Sequence, residues 1–174
     1  KYRLGLKILE LAHVASSNMS FRSVVLPYMQ KIADQANETV YFGISNEGQV
    51  IYLDVAYPIN AVSGRPMLGR SAPMYCTAIG KAMLACFPDD EIINIFSMGV
   101  HKYTPNTITN LNDLLNEMKK TRERGYAIDN MEHEYGIKCV GVPLYNRTNQ
   151  LIAGLSVSGP SPRFTQTTIK ELAE

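Results

Sequence analysis

The sequence has almost no excess of charge and no long apolar run. It carries 17 Lys and Arg residues against 16 Asp and Glu, a net charge of +1, with no block of like charges longer than a few residues. A nucleic-acid-binding stripe or a polybasic membrane anchor is therefore not indicated. No apolar run approaches the roughly 18 residues that span a bilayer. The N-terminal KYRLGLKILEL is too charged for a signal peptide. The 174 residues, 45% of them apolar, suffice for one globular domain with its own core.

Cysteine and histidine are both scarce. The three cysteines, Cys76, Cys86 and Cys139, are odd in number and widely spaced, which predicts reduced thiols in a cytoplasmic protein. The three histidines show no zinc-ligand spacing, so no metal ion or cofactor is expected. The chain has no initiator Met and begins within an apolar pattern, and we therefore expect it to be an excised domain.

Apolar periodicity and turn residues predict helices and strands in alternating groups. Helices are expected over residues 4–17, 21–35, 77–86 and 89–97, from a cap at Asn110 or Thr109 to Gly125, and after Thr165. Pro27 is expected to kink or break the second helix. Strands are expected over residues 39–45, 50–55, 61–68, 126–129, 137–145 and 151–158. Because neighbouring strands joined by short links pair antiparallel, the fold class is α+β, an antiparallel sheet flanked by helices.

The last predicted hairpin has an unusual polar face. Side chains alternate along a strand, so Ser156 and Ser158 share one face of the strand over residues 151–158. Cys139 of the partner strand joins this face only if paired residue numbers add up to an odd number, such as 295. The two serines then form either part of a binding site or an ordinary strand end, hydrogen-bonded locally or to water.

The segment MYCTAIGKAML at residues 74–84 leads small residues into a helix start. It lacks the first Gly and the Ser or Thr of a nucleotide-binding P-loop. Its first backbone amides, around Ala78 and Ile79, have no intrahelical acceptor and could bind a carboxylate. The alternative is close helix packing over the small residues. In either case we expect Lys81 to be a solvated side chain.

The residues after the strand at 126–129 allow two chemical interpretations. Asp129, Glu132, His133 and Cys139 could ligate a metal, although their spacing matches no zinc pattern. Cys139, His133 and Asp129 could also form a nucleophilic set, which would make the protein a Cys139-dependent hydrolase. Both interpretations depend on geometry, and neither is favoured.

Several segments together resemble the effector-binding domain of IclR-type bacterial transcription regulators. They are MYCTAIGKAMLA, YTPNTIT at 103–109, ERGYAIDNMEHEYGIKCVGVPLYN at 123–146 and AGLSVSGPSPRFT at 153–165. The segment YRLG at 2–5 is similar to the end of the family's winged helix-turn-helix. The resemblance covers nearly the whole chain, and the order of the motifs makes it specific.

The resemblance implies a GAF/profilin-like fold without catalysis. Residues 1–17 would be the end of the DNA-binding wing and the linker helix, and residues 18–174 an effector-binding domain truncated in its last helix. The full-length protein would be a repressor that binds operator DNA through an upstream domain, as a homodimer or homotetramer without a membrane segment. A GAF-type sensory module of another signalling protein is the alternative.

The resemblance also implies a site for a small carboxylate effector. Relatives that bind 2-oxo acids use positions that fall here on Ala78, Ile79, Asp129, Cys139, Ser156 and Ser158. We expect Asp129 to accept a hydrogen bond from a ligand hydroxyl or a backbone N–H, which favours a sugar acid. The apolar wall would come from Met67, Leu68, Met74, Tyr75 and Ile137. Several such relatives have Ser-Gly-Ala-Gly-Lys at residues 77–81, and the bulkier Ile79 is expected to narrow the pocket or change its specificity.

Overall fold

A six-stranded antiparallel sheet forms the centre of the molecule. The computed structural model describes residues 3, 5–17, 21–59 and 66–174. The strands lie in the order β3-β2-β1-β6-β5-β4, each antiparallel to its neighbours. The predicted α+β class, an antiparallel sheet flanked by helices, is therefore confirmed.

The helices and strands alternate in groups along the chain, as the sequence predicts. The helices are α1 (Lys7–Ser17), α2 (Phe21–Ala36), α3 (Ala78–Leu84), α4 (Asp89–Ser97), α5 (Leu111–Arg124) and α6 (Gln166–Ala173). The strands are β1 (Thr39–Asn46), β2 (Gln49–Ala56), β3 (Ser71–Pro73), β4 (Ala127–Asn130), β5 (Ile137–Tyr145) and β6 (Leu151–Pro160). Short 3-10 turns at Met74–Cys76 and Ser161–Arg163 precede α3 and α6.

One predicted strand differs from the structure, and the break that Pro27 could cause in the second helix is absent. The third strand is not at residues 61–68: residues 61–65 lie outside the described residues, residues 66–68 are not in a strand, and β3 follows at Ser71–Pro73. Helix α2 continues through Pro27 without a break. Pro27 is exposed, so water can satisfy the carbonyl group that its ring leaves without a helical donor.

The register of the last hairpin agrees with the predicted parity. Cys139 pairs with Ser158 and Gly141 pairs with Ser156, so paired numbers add up to 297 and not to the suggested 295. Tyr41 of β1 pairs with Ser156 from the other side. Because paired residues point to the same face of a sheet, this register brings Cys139, Ser156 and Ser158 onto one face.

The two faces of the sheet are covered by different helices. One core combines α2 and α6 with strand residues such as Phe42 and Val157. The other combines α3, α4 and α5 with residues such as Val50 and Tyr52, and includes Ile79 and Met83. The polar face of β6 lies beneath α3, so the candidate site is on this side of the sheet.

The cap of α5 can be tested directly. The Asn110 side chain accepts hydrogen bonds from the backbone N–H groups of Asn112, at 2.8 Å, and Asp113, at 3.3 Å. Replacing Asn110 with Ala should lower the free energy of unfolding by about 1 kcal/mol, because these amides lose their acceptor. Urea denaturation measures the change. Asn110→Asp keeps the acceptor and should remain near the wild-type value, and an equal loss in both variants would contradict the capping role.

None of the helices among the described residues is long and apolar enough to cross a membrane.

Candidate functional site

A small cavity lies between the start of α3, the polar face of the sheet and the turn after β4. All six residues of the predicted effector site line it: Ala78, Ile79, Asp129, Cys139, Ser156 and Ser158. They come from α3, β4, β5 and β6. The cavity has a volume of about 60 Å³, which is room for a few water-sized groups.

The sheet contributes a row of small polar groups to the floor of the cavity. Ser156 is buried and Ser158 is half-buried on the same face of β6. The Cys139 thiol donates a hydrogen bond to the Ser158 hydroxyl oxygen over 3.0 Å. Hydroxyl groups can both donate and accept, so this floor can bind an oxo, hydroxyl or carboxylate oxygen.

The start of α3 forms the opposite wall, and glycine makes its close approach possible. The Thr77 hydroxyl oxygen accepts a hydrogen bond from the Gly80 N–H at 3.3 Å and so caps the helix. A Cβ atom at Gly141 of β5 would lie 2.5 Å from the backbone carbon and oxygen of Ala78 and 2.8 Å from the Ile79 nitrogen. Only glycine at this position therefore lets the backbone at Ala78 and Ile79 contact the sheet.

Asp129 provides the acidic side of the cavity. It is almost fully buried, with 3% of its surface exposed. Its side-chain Oδ1 accepts a hydrogen bond from the Glu132 N–H over 2.6 Å, which closes the turn after β4. Burial, together with the negative charge of Glu132, raises the pKa of Asp129 to about 7. The carboxyl group can therefore change its charge near neutral pH.

Lys81 is fully buried, and the prediction of a solvated side chain is wrong. Its ammonium group lies 2.5 Å from Glu132 Oε1 and 3.5 Å from Glu117 Oε1. Glu132 is buried too, and burial raises its pKa while the Lys81 charge lowers it. A lysine one turn into a short helix looks solvent-exposed from local sequence. Here the acid that pairs with it comes from a distant turn.

The turn at residues 129–134 is also supported from the loop before α5. The Thr107 hydroxyl donates to the Glu132 carbonyl oxygen over 2.6 Å, and the Thr104 hydroxyl donates to the Met131 carbonyl oxygen over 2.7 Å. The Asn106 amide donates to the Asn130 carbonyl oxygen over 2.9 Å. These bonds explain why the segment YTPNTIT is in contact with the cavity-forming turn although its own side chains do not line the cavity.

Only two of the five residues predicted to form the apolar wall line this cavity. Met67 and Ile137 line the cavity, but Leu68, Met74 and Tyr75 do not. Leu68 is exposed, and Met74 is fully buried in the core. The Tyr75 hydroxyl donates to the His101 carbonyl oxygen over 2.9 Å, away from the cavity. Leu68 lies in a turn before β3, and Met74 and Tyr75 lie in the 3-10 turn, where closeness in sequence does not fix the direction of a side chain.

Five further cavity residues were not among the predicted site residues. They are Tyr41, Tyr52, Thr77, His133 and Glu134. Tyr41 and Tyr52 come from the first hairpin and stack edge to face, with ring centroids 5.5 Å apart. Their place follows from the pairing of β1 with β6, for which the sequence has no local signal. Thr77 could have been found, since a Thr before small helical residues is a typical N-cap.

The arrangement does not favour the two chemical alternatives for this region. Burial and the neighbouring Asp129 raise the pKa of Cys139 well above its ordinary value, and its thiol donates to Ser158, so it is not an activated nucleophile. Within residues 3, 5–17, 21–59 and 66–174, no group of three or more His, Cys, Asp or Glu side chains is placed to hold a metal ion. The three cysteines are free thiols.

Together, the sheet order and the cavity define an α+β domain with a small cavity, lined by both polar and apolar groups, under its central strands. Comparison with known proteins gives the family. The model of one family, described as "Bacterial transcriptional regulator IclR C-terminal", matches residues 13–174. The chain therefore belongs to the IclR family of bacterial transcription regulators and corresponds to its C-terminal domain.

Relatives and solved structures agree with this assignment. The chain is 35% identical to the HTH-type transcriptional regulator KdgR of Escherichia coli, over 98% of this chain and 65% of KdgR. It is 30% identical to XynR of the same organism, over 100% of this chain and 69% of XynR. The crystal structure of the Thermotoga maritima IclR matches with a TM-score of 0.87 and 33% identity, over 97% of this chain and 69% of that one.

The C-terminal domain of E. coli KdgR also has this fold. Its crystal structure matches with a TM-score of 0.76 and 34% identity, covering 88% of each chain. The family resemblance predicted from the motifs is confirmed, and the relatives are described as transcription regulators. The chain spans about 65% of the length of KdgR.

Proposed function

We propose that this chain is the effector-binding part of a cytoplasmic repressor that binds operator DNA. The relatives are described as HTH-type, and AllR of Salmonella typhi, 28% identical, is described as a repressor. Operator DNA would be bound by a helix-turn-helix domain joined to residues 1–17, the end of its wing and a linker helix. Residues 18–174 would form the effector-binding domain.

The effector is a small organic acid, and the converging cavity residues carry this proposal. The backbone amides of Ala78 and Ile79 would donate to its carboxylate. Ser156 and Ser158 would bind its oxo or hydroxyl groups, with Cys139 holding the Ser158 hydroxyl in place. Buried polar groups facing a shared cavity, with a few apolar neighbours, are typical of small-molecule sites.

The polar lining of the cavity supports a hydroxylated acid. Asp129, His133 and Glu134 all line the cavity and can form hydrogen bonds with hydroxyl groups. A sugar acid would meet these groups with hydroxyls. The Ile79 side chain lies 2.8 Å from the position of a Cβ at Gly154, so it fills space over the sheet and limits the size of the ligand.

Effector binding would change operator affinity through the packing of subunits. Helix α1 has the exposed apolar residues Ile8, Leu11 and Val14, and the exposed Leu6 directly precedes it. This apolar surface suits an interface within a homodimer or homotetramer. A ligand can shift such an assembly only if it binds the two states unequally. A coupling of about 1–3 kcal/mol between effector and operator is expected.

The site is tested by replacing Ser156 and Ser158 with Ala. A thermal-shift screen over 2-oxo, hydroxy and sugar acids selects a ligand, since one present at 100 times its dissociation constant adds about 2.7 kcal/mol of stability. Calorimetry should then show an affinity lower by about 1–3 kcal/mol in the double variant, with the fold intact, because two hydrogen-bonding groups are lost.

Ser97→Ala is the matched control. The Ser97 hydroxyl donates to the Asn94 carbonyl oxygen on the surface of α4, away from the cavity, so its removal should leave the affinity unchanged. Unchanged affinity in the double Ser156 and Ser158 variant would remove this cavity from consideration as the effector site.

A further inference from the structure

The acidic side chains around the cavity do not all have a cationic partner. Lys81 pairs with Glu132, and Arg124 pairs with Glu117 over 2.7 Å. Asp129 remains, and among the residues that the structure describes no Lys, Arg or His lies within ion-pair distance of it. In the described part of the chain, Asp129 is the one buried acid without an ion-pair partner, and it lies on the wall of the cavity.

A carboxylate that enters this cavity would add a second negative charge close to Asp129. Two like charges in a poorly solvated space strongly disfavour each other. Oδ1 of Asp129 accepts from the Glu132 N–H, and the backbone N–H of His133 also donates to this carboxyl group. A proton on the carboxyl group would add a donor. A neutral Asp129 could therefore donate to an oxygen of the acid, whereas an ionised one would repel it.

We propose that a carboxylic acid effector binds together with one proton from solvent, which Asp129 accepts while Lys81 keeps Glu132 ionised. The inference rests on the proposed function of the cavity and explains how a negatively charged effector can bind beside Asp129. Glu132 is the less suitable acceptor, because the Lys81 ammonium group is 2.5 Å from its Oε1 and the Asn130 N–H donates to the same atom over 3.3 Å.

The Lys81 charge lowers the pKa of Asp129 without forming an ion pair with it, and the other titratable groups described near Asp129 add no cation. The β2 residue Tyr52, Cys76 before α3 and Cys139 of β5 are neutral, because burial raises the pKa of each. Glu132 and Glu134 are acids, and Glu117 of α5 is turned to Lys81 and Arg124. His133 is the other cavity residue that could take up a proton near neutral pH, and the test has to separate the two.

The test measures the affinity for pyruvate and for D-gluconate by calorimetry between pH 5.5 and 8.5. For each acid that binds, the affinity should be level below about pH 6 and fall about tenfold per pH unit above pH 7, because binding there takes up one proton. Repeating the titration in buffers of different ionisation enthalpy should give an uptake of about one proton at pH 8.

Variants identify the group that takes the proton. Asp129→Asn should bind with little dependence on pH, and Glu132→Gln should move the fall in affinity to lower pH, because one negative neighbour of Asp129 is removed. Asp113→Asn, an exposed acid on α5, is the matched control and should behave as wild type. His133→Gln should also keep the pH dependence.

The outcomes separate the inference from the proposed function. An acid that binds equally well at pH 6 and pH 8 contradicts the inference alone. A pH dependence that survives in Asp129→Asn and disappears in His133→Gln overturns it in favour of the imidazole. If neither pyruvate nor D-gluconate binds at any pH, the proposed acid site is wrong, and the inference is overturned with it.

Discussion

Replacing Lys81 with Met should lower the free energy of unfolding by about 3–5 kcal/mol, because it leaves a buried carboxylate without its counter-charge. Lys81 is 0% exposed and Glu132 is 5% exposed. One oxygen of Glu132, Oε2, already has no hydrogen-bond partner among the described residues, so the ion pair carries most of its stabilisation. Urea denaturation at pH 7.5, followed by circular dichroism, measures the loss.

The loss in Lys81→Met should shrink as the pH falls. Without the lysine, the folded-state pKa of Glu132 lies further above its unfolded value than it does in the wild type. An acid whose pKa is raised in the folded state loses stability as the pH rises through that pKa, so the variant is least stable at high pH. The difference from wild type should therefore be smaller at pH 5.5 than at pH 7.5.

Two control variants test whether the loss in Lys81→Met comes from the buried ion pair. Lys81→Met combined with Glu132→Gln removes both charges together and should recover a large part of the lost stability. Lys120→Met, on the exposed side of α5, should change the stability by no more than about 0.5 kcal/mol. If Lys81→Met behaves like Lys120→Met, the buried ion pair does not stabilise the fold.

Replacing Gly141 with Ala should lower the free energy of unfolding by about 1–3 kcal/mol and weaken effector binding in the same variant. The new Cβ would lie 2.5 Å from the Ala78 backbone, and backbone atoms cannot move aside as a flexible side chain does. The start of α3 would have to shift away from β5. The amides proposed to bind the carboxylate would move with it, so calorimetry with an acid found in the screen should show a lower affinity.

Gly154→Ala provides the comparison on the neighbouring strand. Its Cβ would meet the Ile79 side chain at 2.8 Å, the Met83 side chain at 3.1 Å and the Ile79 carbonyl oxygen at 3.2 Å. The nearest backbone atom is therefore farther away than at Gly141, and Met83 is a flexible side chain that can adjust. We expect a smaller loss of stability than in Gly141→Ala. Equal losses would show that general crowding over the sheet, and not the contact with the Ala78 backbone, limits residue size at Gly141.

The secondary structure of this chain follows largely from short-range patterns. The strand predicted at 137–145 has those bounds in the structure, and Gly125 ends α5 with a φ of 84°. Asn110 and Thr165 cap their helices through hydrogen bonds to nearby amides. Each of these features depends on residues within a few positions of each other, and such signals can be found in a single sequence.

Only some of the residues that line the candidate cavity could be predicted from the sequence. Side-chain alternation predicted that Cys139 joins Ser156 and Ser158 only in a register whose paired numbers add up to an odd number, and the structure has such a register. The family motifs pointed to Ala78, Ile79 and Asp129. Tyr41 and Tyr52 were missed because their presence depends on pairing across more than 100 residues of sequence, between β1 and β6. Side-chain alternation predicts which residues share a face of one strand, but not which strand lies beside it.

By itself, the sequence determined the class of the fold, the family, the ends of most helices and strands, and the residue types available to the cavity. Only the tertiary structure decided the charge environment of that cavity. Lys81 looks like a solvated lysine on a short helix, and it is the buried partner of Glu132, 51 positions along the chain. Burial and ion pairing depend on which distant segments pack together, and this packing determines whether a charged side chain meets water, a counter-charge or a ligand.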